Sequence, residues 1–199
     1  AEEDIVGGCV VVMDVETGAV RAMVNLQKDK KGEFREVFNM ATGTPAEPGS
    51  VFKAVTMTTL LEDGKIELED KIATNHGLMS DMPKISQDDY ITSYEKNNKT
   101  NQISVVDGFK ISSNYVFRRL VKDNYGEEPE EFIHRLHQYN FGEAYDFDLK
   151  ESGISGSKIP DPKDAGWTIY DLVSVAIGYS VRVTPLQIVT FYNAIANNG

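Results

Sequence analysis

The strand signal in this sequence is confined to its first 25 residues. Residues 9–13 and 19–24 are β-rich runs around Asp14-Val15-Glu16-Thr17-Gly18, and Gly18 supplies the φ > 0 position that a tight connection needs. After residue 50 the apolar residues recur at helical spacing instead. The expected architecture is therefore α+β, a β-hairpin against a largely helical body. Such a hairpin exposes an unpaired edge unless a neighbour or another chain covers it.

Pro45-Ala46-Glu47-Pro48-Gly49 breaks the chain before the first helical stretch. Ser50 then falls at a helix N-cap or first-turn position. Val51, Val55, Thr58 and Thr59 recur at helical spacing, as do Phe52, Val55 and Thr59, which fits a helix buried on more than one side, and Gly64 is a natural stop. Residues 27–36 read as a solvated loop, and residues 65–100 as loops and short pieces. Residues 104–124 read as a helix pair or one broken helix, Pro129 as the start of a helix to about 139, and Pro185 as the start of a last helix. Residues 142–166, rich in Gly, Ser, Asp and Pro, read mostly as loop. The chain has no internal repeat and no clear domain linker.

The formal net charge of −11 argues against nucleic-acid binding, which relies on Lys and Arg to neutralise phosphates. It argues equally against docking on anionic lipid through a basic face. No apolar run reaches the roughly 18–20 residues that span a bilayer. The acidic start, Ala1-Glu2-Glu3-Asp4, does not resemble a signal peptide, so any anchor is expected upstream. Cys9 is the only cysteine and reads as a small buried hydrophobe.

Two short patterns carry chemistry. Ser50-Val51-Phe52-Lys53 is a Ser-x-x-Lys arrangement. A serine hydroxyl is a weak nucleophile until a neighbouring base takes its proton. Positions i and i+3 of a helix share a face, so the Lys53 amine can reach the Ser50 hydroxyl. Burial and nearby positive charge lower a lysine pKa, and the neutral amine can then act as base. Alone, the pattern also fits an N-cap serine followed by a surface lysine. The apolar helix around Lys53 and the tight loop before Ser50 favour the chemical reading. Downstream, Ser112-Ser113-Asn114 is a Ser-x-Asn pattern. Ser112 could relay a proton between Lys53 and a leaving amine. Asn114 could hold Lys53 and bind a substrate amide carbonyl. The alternative there is an ordinary helix-capping run.

At these residues the sequence resembles the penicillin-binding protein transpeptidases, serine acyltransferases that share a fold with the serine β-lactamases. Further stretches extend the likeness in the right order. Met13 through Met23 looks like the family's opening hairpin, Asn39 through Lys53 like its nucleophile segment, and Ile111 through Phe117 like its second motif. Phe141-Gly142, Trp167, Gly178 through Gln187 and the final Asn193 through Gly199 resemble later landmarks. The likeness is nearest to the monofunctional class B enzymes of division and elongation. It implies that residues 1–199 are the N-terminal part of one transpeptidase domain. Residues 1–25 would be the hairpin of its antiparallel sheet, and residues 45–199 a mainly helical part carrying both motifs. Lys-Thr-Gly and Lys-Ser-Gly, the family's third motif, do not occur in the 199 residues. This reads as truncation, with the sheet incomplete and the fragment nearly or wholly inactive.

The resemblance implies that Ser50 attacks the penultimate D-alanine carbonyl of a peptidoglycan stem peptide, with Lys53 as base and Ser112 and Asn114 on the substrate. β-Lactams would acylate Ser50 in the same way. No metal or organic cofactor is implied, and His134 and His137 lack the companions of a metal site. Implied partners are stem peptides, β-lactams and, for the full-length protein, other cell-wall synthesis or division proteins. The implied location is the extracytoplasmic face of the bacterial membrane. A β-lactamase or a β-lactam sensor of the same fold remains an alternative. No segment resembles the Glu-x-x-Leu-Asn context that supplies the deacylating glutamate of class A β-lactamases, and Asn114 departs from the class D pattern.

Overall fold

In a computed structural model, which describes residues 5–145 and 156–199, the chain opens with three strands, β1 (Gly7–Met13), β2 (Val20–Lys28) and β3 (Phe34–Arg35). There follow α1 (Met40–Gly43), a 3₁₀ turn Gly49–Phe52 and α2 (Lys53–Glu62). Next come β4 (Lys71–Ala73), a 3₁₀ turn Asn75–Gly77, α3 (Asp89–Asn98) and β5 (Gln102–Ser104). The remainder is α4 (Val105–Lys110), α5 (Asn114–Tyr125), α6 (Pro129–Gln138), α7 (Ile169–Val175) and α8 (Pro185–Ala196). These elements form two compact units. One comprises the described residues of 1–48, 137–159 and 181–199, the other residues 49–136 and 160–180.

The first unit holds the antiparallel sheet β1-β2-β3. Val10 lies opposite Val24, and the register shifts at Val12/Met13, a local bulge. The connection closes as its residues predict. Gly18 takes φ +69° and donates its N–H to Asp14 O at 2.9 Å, while Asp14 Oδ1 accepts from Thr17 N at 2.9 Å. Burial alternates along β1 with the period of a strand: Cys9 and Val11 point to the half-buried face, Val10 and Val12 to the exposed one. Cys9 is therefore half-buried rather than fully buried, although its desolvation still raises the thiol pKa. Among the described residues, β2 is the only strand that pairs with β1. Behind the sheet, buried Asn25 accepts from Ala41 N at 3.0 Å, tying β2 to α1. Thr184 and Gln187 form a reciprocal capping box around Pro185, which fixes the start of α8 where the proline predicts it.

Two further expectations are revised. Residues 27–36 are not one loop, since β2 runs to Lys28 and β3 returns beside it. Asp29 makes this turn, accepting from Lys31 N at 2.7 Å, Glu33 N at 3.0 Å and Arg35 Nε at 2.9 Å. Residues 65–100 contain the ten-residue helix α3. Its sequence hid it because Ile91 is its only buried residue, so no apolar periodicity marks it. A cap from Asp88 to Tyr90 N at 3.1 Å sets its start.

The second unit has its core where α2 and α5 meet. α2 buries Lys53 through Met57 along with Thr59 and Leu60, as a helix covered on several sides must. It stops before Gly64, which takes φ +62°. α5 points Val116, Phe117, Leu120 and Val121 inward, while Arg119 pairs outward with Asp123 at 2.8 Å. The helical stretch 104–124 is indeed broken, into α4 and α5, at residues 111–113. Among the described residues no helix is long and apolar enough to cross a membrane.

Candidate active site

Ser50 lies in the 3₁₀ turn that leads into α2, one residue after Gly49, and Lys53 is the first residue of the α-helix proper. A 3₁₀ turn has three residues per turn, so side chains at i and i+3 eclipse more closely than in an α-helix. That geometry brings Lys53 Nζ to 3.1 Å from Ser50 Oγ. Gly49 has φ +59°, and its N–H donates to Gly178 O at 3.0 Å. Gly178 has φ +81°, and a Cβ there would sit 2.1 Å from Gly49 O. Two glycine backbones thus meet directly behind the serine, at a distance only glycine permits.

Lys53 is 1% exposed, a rare state for a lysine. A protonated amine has three donors. They go to Ser50 Oγ at 3.1 Å, Ser112 Oγ at 3.1 Å and the Ser112 carbonyl at 2.5 Å. The Phe117 ring lies 5.8 Å from Nζ. Burial lowers the Lys53 pKa to about 8, helped by the charge of Arg118 and opposed by that of Asp88. At pH 7 this leaves about a tenth of the amine neutral, against roughly one part in several thousand for an ordinary lysine.

Ser112 occupies the break between α4 and α5 with φ +54°, a left-handed conformation uncommon for a residue with a Cβ. It is held there from both sides. Ser112 N donates to Phe109 O at 2.9 Å and Ser113 N to Gly108 O at 2.9 Å. Gly108 lets α4 lie against α5, because a Cβ there would be 2.7 Å from Val116 Cγ1. Strain of this kind costs about 1–3 kcal/mol and persists where the surroundings over-determine it.

Ser50, Lys53 and Ser112 are therefore brought together by hydrogen bonds. Asn114 opens α5 two residues beyond Ser112, and its Oδ1 is buried with no hydrogen-bond partner. Lys53 is anchored by the Ser112 carbonyl, so the Asn114 side chain retains an uncommitted acceptor. Three contributors went unread in the sequence. Asp88 and Arg118 set the field at Lys53, and Gly178 backs Gly49. Gly178 belongs to a stretch with a family likeness. Arg118 and Asp88 lack a local signal beyond the liking of Asp for helix caps. Among the described residues no group of three or more His, Cys, Asp or Glu is placed to hold a metal ion.

The model of the penicillin-binding protein transpeptidase domain matches residues 8–199, and the chain belongs to that family. Curated relatives include the penicillin-binding protein PbpB of Mycolicibacterium smegmatis, 27% identical over 195 residues, which are 95% of this chain and 28% of the relative. PbpB of Mycobacterium tuberculosis is also 27% identical over 195 residues, 95% of this chain and 27% of its own length. The chain thus spans little more than a quarter of these relatives. Among solved structures, the transpeptidase domain of Burkholderia pseudomallei penicillin-binding protein 3 superposes with a TM-score of 0.75 at 22% identity, covering 98% of this chain and 51% of that one. Penicillin-binding protein 3 of Mycobacterium tuberculosis, complexed with aztreonam, superposes at 0.76 with 24% identity, covering 98% and 41%. The α+β reading of the sequence, with its antiparallel sheet and penicillin-binding protein fold, agrees with these likenesses.

Proposed function

We propose that Ser50 is the nucleophile of a peptidoglycan D,D-transpeptidase, acylated by the penultimate D-alanine of a stem peptide. The observation that carries this reading is the buried Lys53 amine, 3.1 Å from Ser50 Oγ and 3.1 Å from Ser112 Oγ. Neutral Lys53 accepts the Ser50 proton as Oγ attacks the carbonyl carbon. The tetrahedral intermediate collapses with cleavage of the C–N bond. The proton returns from Lys53 through the Ser112 hydroxyl to the departing D-alanine amine. An ester on Ser50 remains, and a second stem peptide's amine reverses the sequence to form the cross-link. Asn114 orients the substrate amide at the site's edge.

A β-lactam acylates Ser50 by the same attack, but its departing nitrogen stays tethered, so the ester persists. Complexes of the Mycobacterium tuberculosis relative with aztreonam and ampicillin support β-lactam binding here. The substrate puts the work at the extracytoplasmic face of the membrane, alongside other cell-wall synthesis proteins. A direct test supplies the full-length protein with a stem-peptide mimic ending in D-Ala-D-Ala and a labelled amine acceptor. Cross-linked product is expected, and none from Ser50→Ala. Release of D-alanine with water as the sole acceptor would point to a hydrolase instead.

The 199 residues alone are expected to acylate far more slowly than a longer protein with a Lys-Thr-Gly or Lys-Ser-Gly motif. In the family that motif binds the ligand carboxylate and completes the oxyanion site. Loss of one oxyanion donor costs about 100- to 1000-fold in rate. Loss of a charge-assisted hydrogen bond adds about 1.5–3 kcal/mol. The check is the second-order rate with a fluorescent penicillin for both chains, and equal rates would contradict the expectation.

A further inference from the structure

We propose that Asp88 is a positioning residue for this chemistry: its carboxylate holds the Ser112-Ser113 turn in the conformation that presents Ser112 to Lys53. The proposal rests on the acyl-transfer reading of Ser50 and Lys53. Asp88 is buried, 8% exposed, at the start of α3. Its Oδ2 accepts from Ser113 Oγ at 2.7 Å and from Tyr115 N at 2.8 Å, and its Oδ1 accepts from Tyr90 N at 3.1 Å. One carboxylate therefore ties the first turns of two helices together.

The bond to Ser113 also sets what Ser113 can do. With its proton committed to Asp88, the fully buried Ser113 hydroxyl offers a lone pair to Val116 N at 3.1 Å. Asp88 and Ser113 between them thus satisfy two first-turn N–H groups of α5, Tyr115 N and Val116 N, where negative charge is favoured. The residue just before Ser113 is the left-handed Ser112, whose carbonyl and hydroxyl both face Lys53. Rotation of the Ser113 peptide would carry Ser112 away from the amine.

Asp88 is itself fixed from behind by backbone. Asp88 N donates to Gly77 O at 3.0 Å, and a Cβ on Gly77 would sit 2.5 Å from Asp88 O. Asn75, His76 and Gly77 are three consecutive left-handed residues. They are pinned by Asn75 Nδ2 on the Tyr115 hydroxyl at 3.0 Å and by Gln87 Nε2 on His76 O at 2.7 Å. A strained segment is thus spent on placing one buried carboxylate.

Among the described residues Asp88 and Arg118 are the charged groups that act on Lys53, with opposite effect: Asp88 favours the protonated amine and Arg118 the neutral one. This separates positioning from mere stability. Asp88→Asn keeps the side chain's size but turns an acceptor into a donor facing Ser113 and Tyr115 N–H. Acylation of the full-length protein by a penicillin is expected to fall about 10- to 100-fold, as for an ångström-scale misplacement. The acid limb of the pH–rate profile should move to lower pH, because removing a nearby negative charge lowers the Lys53 pKa further. Ser113→Ala, which keeps the charge, should lower the rate without that shift. A ¹³C titration of Lys53 in the 199-residue chain requires no acylation. A downward shift with Asp88→Asn there, together with faster amide exchange at Tyr115 and Val116, would uphold Asp88 even if Ser50 proved inert, and would condemn the acyl-transfer reading alone. An Asp88→Asn protein that acylates at the wild-type rate, or whose Lys53 titration stays put or rises, would overturn the proposal.

Discussion

Lys53→Ala is expected to lower the rate at which a β-lactam acylates Ser50 by about 100- to 10,000-fold, the range a positioned general base contributes. The cause is local. Ser50 Oγ is hydrogen-bonded to Lys53 Nζ at 3.1 Å, and without that amine the hydroxyl must lose its proton to water. In the wild-type protein the rate should rise with pH through about 8, as the buried ammonium becomes an amine. Lys53 also leaves a signature in stability. Its folded-state pKa, about 8, lies below the ordinary 10.5, so the unfolded chain binds more protons between those values. The folded state then gains stability as pH rises across that window, by at most about 1.4 kcal/mol per unit. Denaturant titrations of wild type and Lys53→Met at several pH values check this. A gain of equal slope in both proteins would assign it to other groups.

Gly178→Ala is expected to have a large effect as well, although residue 178 takes no part in the chemistry. An alanine at φ +81° costs roughly 1–2 kcal/mol from its left-handed backbone alone. The new Cβ would stand 2.1 Å from Gly49 O, too close for any rotamer to relieve, since it is backbone against backbone. Gly49 must retreat, and Ser50 moves with it. A displacement of about an ångström at a reacting atom costs on the order of 100-fold. Acylation kinetics and thermal melting of the purified variant test both parts. A protein that melts lower yet acylates within twofold of wild type would show that Ser50 does not depend on the glycine contact.

Ser50 and Lys53 were legible because their relation is local, three residues along one turn. The turn is 3₁₀ rather than α-helical, which the sequence did not distinguish, but either geometry joins the pair. Ser112 was legible as part of a short pattern, whereas its left-handed backbone was not, because serine has no particular liking for φ > 0. Asp88 was not legible at all. Its contacts with Ser113 and Tyr115 span 25 and 27 residues, and in Gln87-Asp88-Asp89 it looks like any helix-capping acid. The same holds for the fold. The hairpin, α5, α6 and α8 announced themselves through alternation, amphipathic spacing and proline. α3 did not, being polar on nearly every side and fixed by its cap.

In the proposed reaction Ser50 forms a covalent acyl-enzyme with Lys53 as its base. The most direct measurement is intact-mass analysis of the full-length protein after exposure to a penicillin, followed by peptide mapping of the adduct. One added penicillin mass per molecule is expected, located on Ser50 and absent from Ser50→Ala. An adduct on any other residue, or one that survives the loss of the Ser50 hydroxyl, would contradict it.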